Sequence, residues 1–108
     1  MTQSNRIAEI VSFQLAEGVV DADFLETLSR SAEFVSSAPG YITRDVCRDD
    51  EGRWTDRVIW ADMDSAKAAQ AAFMSQDFVP DILNAIDRES FVISHQPVLW
   101  SNGAPRGG

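Results

Sequence analysis

Cysteine and histidine each occur once in this chain of 108 residues, as Cys47 and His95. A lone cysteine cannot close an internal disulfide, which suits a reducing compartment, and the expected location is cytoplasmic. One histidine and one cysteine, far apart in the chain, do not make a metal-ligand set, so no metal is expected. Glycine-rich phosphate-binding loops are absent, and no serine sits on a recognisable nucleophile turn. Long apolar runs are also missing, which excludes a membrane-spanning helix. Residues 1–6 lack a basic segment leading into an apolar stretch, so no signal peptide is expected. Basic residues are scarce: nine Lys and Arg stand against seventeen Asp and Glu, a net charge of -8. Such a surface repels phosphate backbones and anionic lipid, which argues against nucleic-acid and membrane partners. Its plain physical use is solubility.

The remaining composition is that of an ordinary globular protein, 44% hydrophobic and 24% charged. There is no internal repeat, and the length suits one domain with its own core. Residues 1–100 are read as that domain, and residues 101–108 as a flexible tail rich in Gly.

Residues 8–15 read as a strand with Val11, Phe13 and Leu15 on one face and Ile10, Ser12 and Gln14 on the other. Asp21 is a plausible N-cap for a first helix, with Phe24, Leu25, Leu28, Ala32 and Val35 as its apolar stripe. Glu26 and Arg30 are spaced to pair across one turn. Pro39 and Gly40 end that helix. Residues 41–48 and 53–61 read as strands joined by the acidic turn Asp49-Asp50-Glu51-Gly52, so they form an antiparallel hairpin. Asp62 or Asp64 caps a second helix rich in alanine that runs through Phe73 and Met74. A short helical segment around residues 81–86 follows Pro80. Residues 89–100 hold a fourth strand, and Pro97 suits a sheet edge because it has no amide hydrogen. The order strand, helix, strand, strand, helix, strand predicts an α+β, ferredoxin-like βαββαβ fold, with both helices on one face of a four-stranded antiparallel sheet.

Several strands are apolar on both faces, most plainly at Val58-Ile59-Trp60-Ala61, where successive residues point to opposite sides. Two helices cover one side only. The other side is therefore expected to meet a second copy of the chain, giving a homodimer.

With that order in place, the chain resembles the antibiotic biosynthesis monooxygenase-type domain of the dimeric α/β barrel superfamily. The resemblance rests on residues 11–18 (VSFQLAEG), on Ala38-Pro39-Gly40-Tyr41 at the helix–strand junction, and on Val58-Ile59-Trp60 before the Asp62 cap. It covers residues 7–98. It implies a homodimeric α/β barrel and a pocket within each protomer, between sheet and helices. Relatives include cofactor-free oxygenases of aromatic polyketides and haem-degrading oxygenases. The second activity is poorly matched: those enzymes carry a strand-one asparagine where Val11 stands here, and a histidine after the second helix, where residues 78–86 have none. What the resemblance implies is thus a monooxygenase that needs no cofactor and acts on a small planar or aromatic molecule. A non-catalytic ligand-binding or scaffold dimer is the alternative, as is an isomerase or lyase on the same fold.

The candidate catalytic residue is His95, in phase with Phe91 and Ile93, since an imidazole titrates near neutrality and can serve as a general base. A hydrogen-bonded structural histidine fits the same position. Trp60 matches the family's pocket tryptophan; it either stacks on a planar ligand or fills the core. Val11, Phe13, Tyr41 and Phe73 complete the expected substrate-binding set, Tyr41 either turning its hydroxyl to the pocket mouth or packing its ring and wetting its tip. Arg44, Asp45, Asp56 and Arg57 are expected to pair across the two hairpin strands, and Asp56, in phase with Trp60, could reach a ligand. Trp54 reads as a packing or dimer-contact residue, Trp100 as an anchor for the C-terminal edge, with the partner chain as one surface it could meet, and Cys47 as a small, at least half-buried hydrophobe.

Overall fold

The computed structural model describes residues 5–102. Residues 103–108, most of the expected tail, lie outside the described residues. The elements run β1 (Ile7–Leu15), α1 (Asp21–Ser29), α2 (Ala32–Ser37), β2 (Tyr41–Arg48), β3 (Arg53–Trp60), α3 (Met63–Phe73), α4 (Val79–Asn84) and β4 (Ile86–Pro97). One antiparallel sheet in the order β2-β3-β1-β4 carries the helices on one face. This is the α+β, ferredoxin-like arrangement.

Local chemistry explains most boundaries. The β2–β3 turn is organised by Asp49, whose carboxylate accepts from the amides of Glu51 and Arg53, both at 2.9 Å. Gly52 closes the turn at φ +88°, a left-handed conformation that favours glycine. Of the two candidate caps, Asp62 is the one used: its carboxylate accepts from the Ser65 amide at 2.7 Å. Gly40 also has positive φ (+86°), and a Cβ there would run into the Ser65 side chain, so β2 enters the sheet directly beneath the start of α3.

The first helical stretch departs from expectation. It is two helices, because Arg30 and Ser31 close with i−3 bonds to Thr27 and Leu28, a tighter winding than the α-helix. The break re-phases the chain: Phe34 and Val35 turn inward, while Ala32 and Leu25 are exposed. Asp21 is not the N-cap. Val20 takes that position without a side-chain bond, and Asp21 pairs with Arg48 at 3.1 Å instead. Arg30 pairs with Asp81 at 2.8 Å rather than with Glu26, so it ties α1 to α4. The short helix starts at Val79 and includes Pro80 in its first turn, where the missing amide costs nothing. Strand β4 starts at Ile86, earlier than expected. Its pairing with β1 slips between Ser12 and Gln14, where the Ser90 hydroxyl accepts from the Gln14 amide at 2.8 Å. Cys47 is exposed, since it faces away from the helices on an edge strand. Trp100 is 78% exposed, so it is not buried against the edge of its own protomer.

The buried core lies between sheet and helices. At one end Phe13, Phe24, Leu28 and Trp54 pack with Val79, Ile82 and Ile86; at the other, Val35, Val58 and Trp60 pack with Ala66 and Ala69. The small alanines of α3 let that helix sit close to β3.

Candidate active site

Between these two packed groups the core leaves a cavity of about 160 Å³. Its floor is the inward face of the sheet, and its roof comes from the helices, with Phe34 of α2, Phe73 of α3 and Leu83 of α4. Strand alternation decides which side chains reach it. In β1 the inward set is Glu9, Val11 and Phe13; in β3 it is Asp56, Val58 and Trp60; in β4 it is Phe91 and Ile93. The wall is therefore mostly hydrocarbon and aromatic.

Besides Gln70 of α3, an ion pair and a carboxylate interrupt it. The Arg44 guanidinium donates through Nε to Asp56 Oδ1 at 3.0 Å and through a terminal nitrogen to Oδ2 at 2.7 Å. Its other terminal nitrogen donates to the hydroxyl of Ser31 at 3.0 Å, and Ser31, fully buried, donates in turn to the Leu28 carbonyl. The bidentate fork is the strong geometry for such a pair. It bolts β2 and β3 to the turn between α1 and α2. Arg57 and Asp45 form the second expected cross-strand pair, at 3.2 Å on the outer face.

The carboxylate is Glu9, only 9% exposed. Its Oε1 accepts from the Trp60 indole N–H at 3.1 Å, and its Oε2 lies 3.1 Å from His95 Nε2. An ionised carboxylate only accepts, so beside ionised Glu9 the tautomer that makes this bond carries its hydrogen on Nε2. Register puts the groups in a line across the sheet. Val58 lies opposite Arg44 on one side and opposite Glu9 on the other, and Glu9 lies opposite His95. Neighbouring strands are about 4.8 Å apart, so Arg44 and Glu9 start from backbones roughly 10 Å apart, with apolar Val58 between them.

The structure thus brings Trp60, Val11, Phe13 and Phe73 to one cavity, together with Asp56. His95 is not on the cavity wall. It stands behind Glu9, on edge strand β4, and meets the cavity through that carboxylate. Tyr41 also stands off the cavity, with its ring edge-on to Trp60 at 6.2 Å. Glu9 is the residue that sequence reasoning passed over. Its signal was present: a carboxylate two residues before Val11, in phase with Val11 and Phe13 on a face otherwise apolar. Among the described residues, no group of three or more His, Cys, Asp and Glu side chains could hold a metal ion, and no helix is long and apolar enough to cross a membrane.

No family model matches the chain, and no curated protein matches it. Solved structures do. A provisionally named antibiotic biosynthesis monooxygenase of Bordetella bronchiseptica aligns with TM-score 0.75 and 20% identity, over 89% of this chain and 99% of its own. Another so named, from Chloroflexus aurantiacus, gives 0.71 and 19%, over 93% and 99%. SnoaB, a cofactor-independent oxygenase from Streptomyces nogalater, gives 0.60 and 18%, over 96% and 99%. At such identities the likeness establishes the fold alone: the chain has the α+β fold of these antibiotic biosynthesis monooxygenase-named structures.

Proposed function

We propose that the protein is a cofactor-independent monooxygenase acting on a small planar organic molecule. The observation that carries this reading is the apolar cavity with an indole-anchored carboxylate, Glu9, on its wall. Oxygenation without a cofactor needs a substrate that becomes electron-rich when it loses a proton. It also needs a base to take that proton and a dry site to protect the intermediate. The substrate supplies the electrons: a methylene carbon and dioxygen become a carbonyl and water. Glu9 receives the proton, and His95, the base expected from sequence, orients that carboxylate through its Nε2–H. Trp60 and Phe73 supply flat walls for a ring. Likeness to SnoaB supports the reaction class by analogy of fold alone.

Protein stripped with a chelator and free of flavin should support oxygen uptake with an enolisable two-ring ketone such as β-tetralone. One atom of labelled dioxygen should appear in the product, and Glu9→Gln should abolish the uptake. Uptake no faster than in buffer, for a panel of such ketones, would count against catalysis. It would favour the second reading, a ligand-binding protein, which the mutual pairing of Arg44, Asp56 and Ser31 also suits.

The same reading includes a homodimer. Its support is the sheet face turned away from the helices, where Val92 is 56% exposed and Ile10 and Ile59 are partly exposed. Sedimentation at micromolar concentration should give twice the chain mass; a stable monomer would remove the dimer.

A further inference from the structure

We infer that the cavity selects small phenols or enols in their uncharged form, held by a hydrogen bond from the ligand hydroxyl to Glu9. This rests on the reading of the cavity as a site for planar ligands, and on nothing about oxygen chemistry.

Size comes first. A dry cavity of about 150 Å³ holds one benzene ring, and this one measures about 160 Å³. One ring fits, two at most where the cavity opens. Charge comes next. The titratable groups facing the cavity are Glu9 from β1, Arg44 from β2 and Asp56 from β3, with His95 of β4 behind Glu9. From α1 to α4 the lining contributes only apolar side chains and Gln70, such as Leu28, Phe34 and Ile82. Arg44 and Asp56 cancel each other in a bidentate pair, so among the described residues the wall has no free cation to welcome an anion. A phenolate or carboxylate ligand would meet Glu9 with like charge in a medium of low dielectric.

Hydrogen-bond capacity then fixes the ligand's polar group. A carboxylate has about four acceptor positions. Trp60 and His95 occupy one on each oxygen of Glu9. Both are donors, so they leave Glu9 as an acceptor and hold it in place. What remains is capacity to accept, on a wall with few other polar atoms. A single O–H on a flat ring satisfies it. An ammonium group would bring three N–H donors to one carboxylate already half occupied, and would leave donors buried without partners.

The probe is para-nitrophenol, one planar ring whose ionised form is yellow. Near the pH at which it is half ionised, wild-type protein should bleach the yellow band, because the bound form is neutral. The neutral form should bind at least about tenfold tighter than the phenolate, the scale of one carboxylate repelling one anion in partly solvated protein. Glu9→Gln keeps the shape of the side chain and should bind the dye by equilibrium dialysis without bleaching it. Should that variant fail to fold, wild-type protein alone still decides: para-nitroanisole, which lacks the hydroxyl, should bind about tenfold more weakly than the phenol. Equal binding of phenol and phenolate, unchanged bleaching by Glu9→Gln, anisole binding as tight as phenol, or displacement of the phenol by lower concentrations of benzylamine would each overturn the inference while sparing the planar-ligand reading. Failure of both the phenol and the anisole to bind at any pH would overturn that reading as well.

Discussion

Trp54 and Trp60 lie on the same face of the same strand, and both are buried, yet they sit in different physics. Trp54 stacks on Phe13 with ring centroids 6.4 Å apart and planes 4° from parallel, and Phe24 meets it edge-on at 5.0 Å. Every ring near it is hydrocarbon. Trp60, one end of the strand away, gives its N–H to Glu9 and lines the cavity. Around Trp54 ring packs on ring; around Trp60 a polar anchor stands on the cavity wall. What separates them is β1: Phe13 stands opposite Trp54, whereas the Trp60 end has Glu9 in the same inward row.

The comparison can be broken at either end. Trp54→Ala should cost the most, about 3–5 kcal/mol of unfolding free energy for an emptied aromatic site, read by urea denaturation. Arg44→Met should come next, at about 3 kcal/mol, because it strands Asp56 on the cavity wall. Joining it to Asp56→Leu should recover most of that loss, and a double variant no better than the single would show that the pair is not coupled. Trp60→Phe should cost about 1–2 kcal/mol, since the ring volume is mostly kept and one hydrogen bond to a carboxylate is lost. Its effect on para-nitrophenol binding should be larger than its effect on stability, the reverse of Trp54→Ala.

The smallest expected effect lies outside both ends, at the Asp62 cap. The backbone amide of Ser65, and then its hydroxyl, hold the Asp62 carboxyl below its ordinary value of 3.8. A lowered value means that the cap contributes fully above the unfolded-state value and fades as pH falls through the folded one. Asp62→Ala should therefore lower the thermal midpoint at neutral pH, and the gap to wild type should close in acid. A gap independent of pH would show that the charge is not what matters at this cap.

Local chemistry made much of the fold legible. The β2–β3 hairpin declares itself through Asp49 and Gly52, and the start of α3 to within two residues through Asp62 and Asp64, because each boundary is decided by groups within four residues. The break at Arg30 and Ser31 was not legible. It is stabilised by Arg44 reaching Ser31 from β2, a contact between distant segments that no helical periodicity reports. His95 shows the same limit within the site. Its phase on β4 with Phe91 and Ile93 was readable, but its partner Glu9 lies 86 positions away, and only strand pairing sets them side by side.

By itself the sequence determined the order of strands and helices, the inward row of β3 and the acidic balance of the surface. These follow from side-chain period, turn chemistry and charge, which are local or additive. Tertiary structure alone decided that Glu9 would stand between Trp60 and His95, that the Arg44–Asp56 pair expected across the hairpin would also hold Ser31, and that a cavity would survive between two packed groups. Those outcomes depend on strand register and on which volumes the helices leave unfilled, and both are fixed only when distant segments meet.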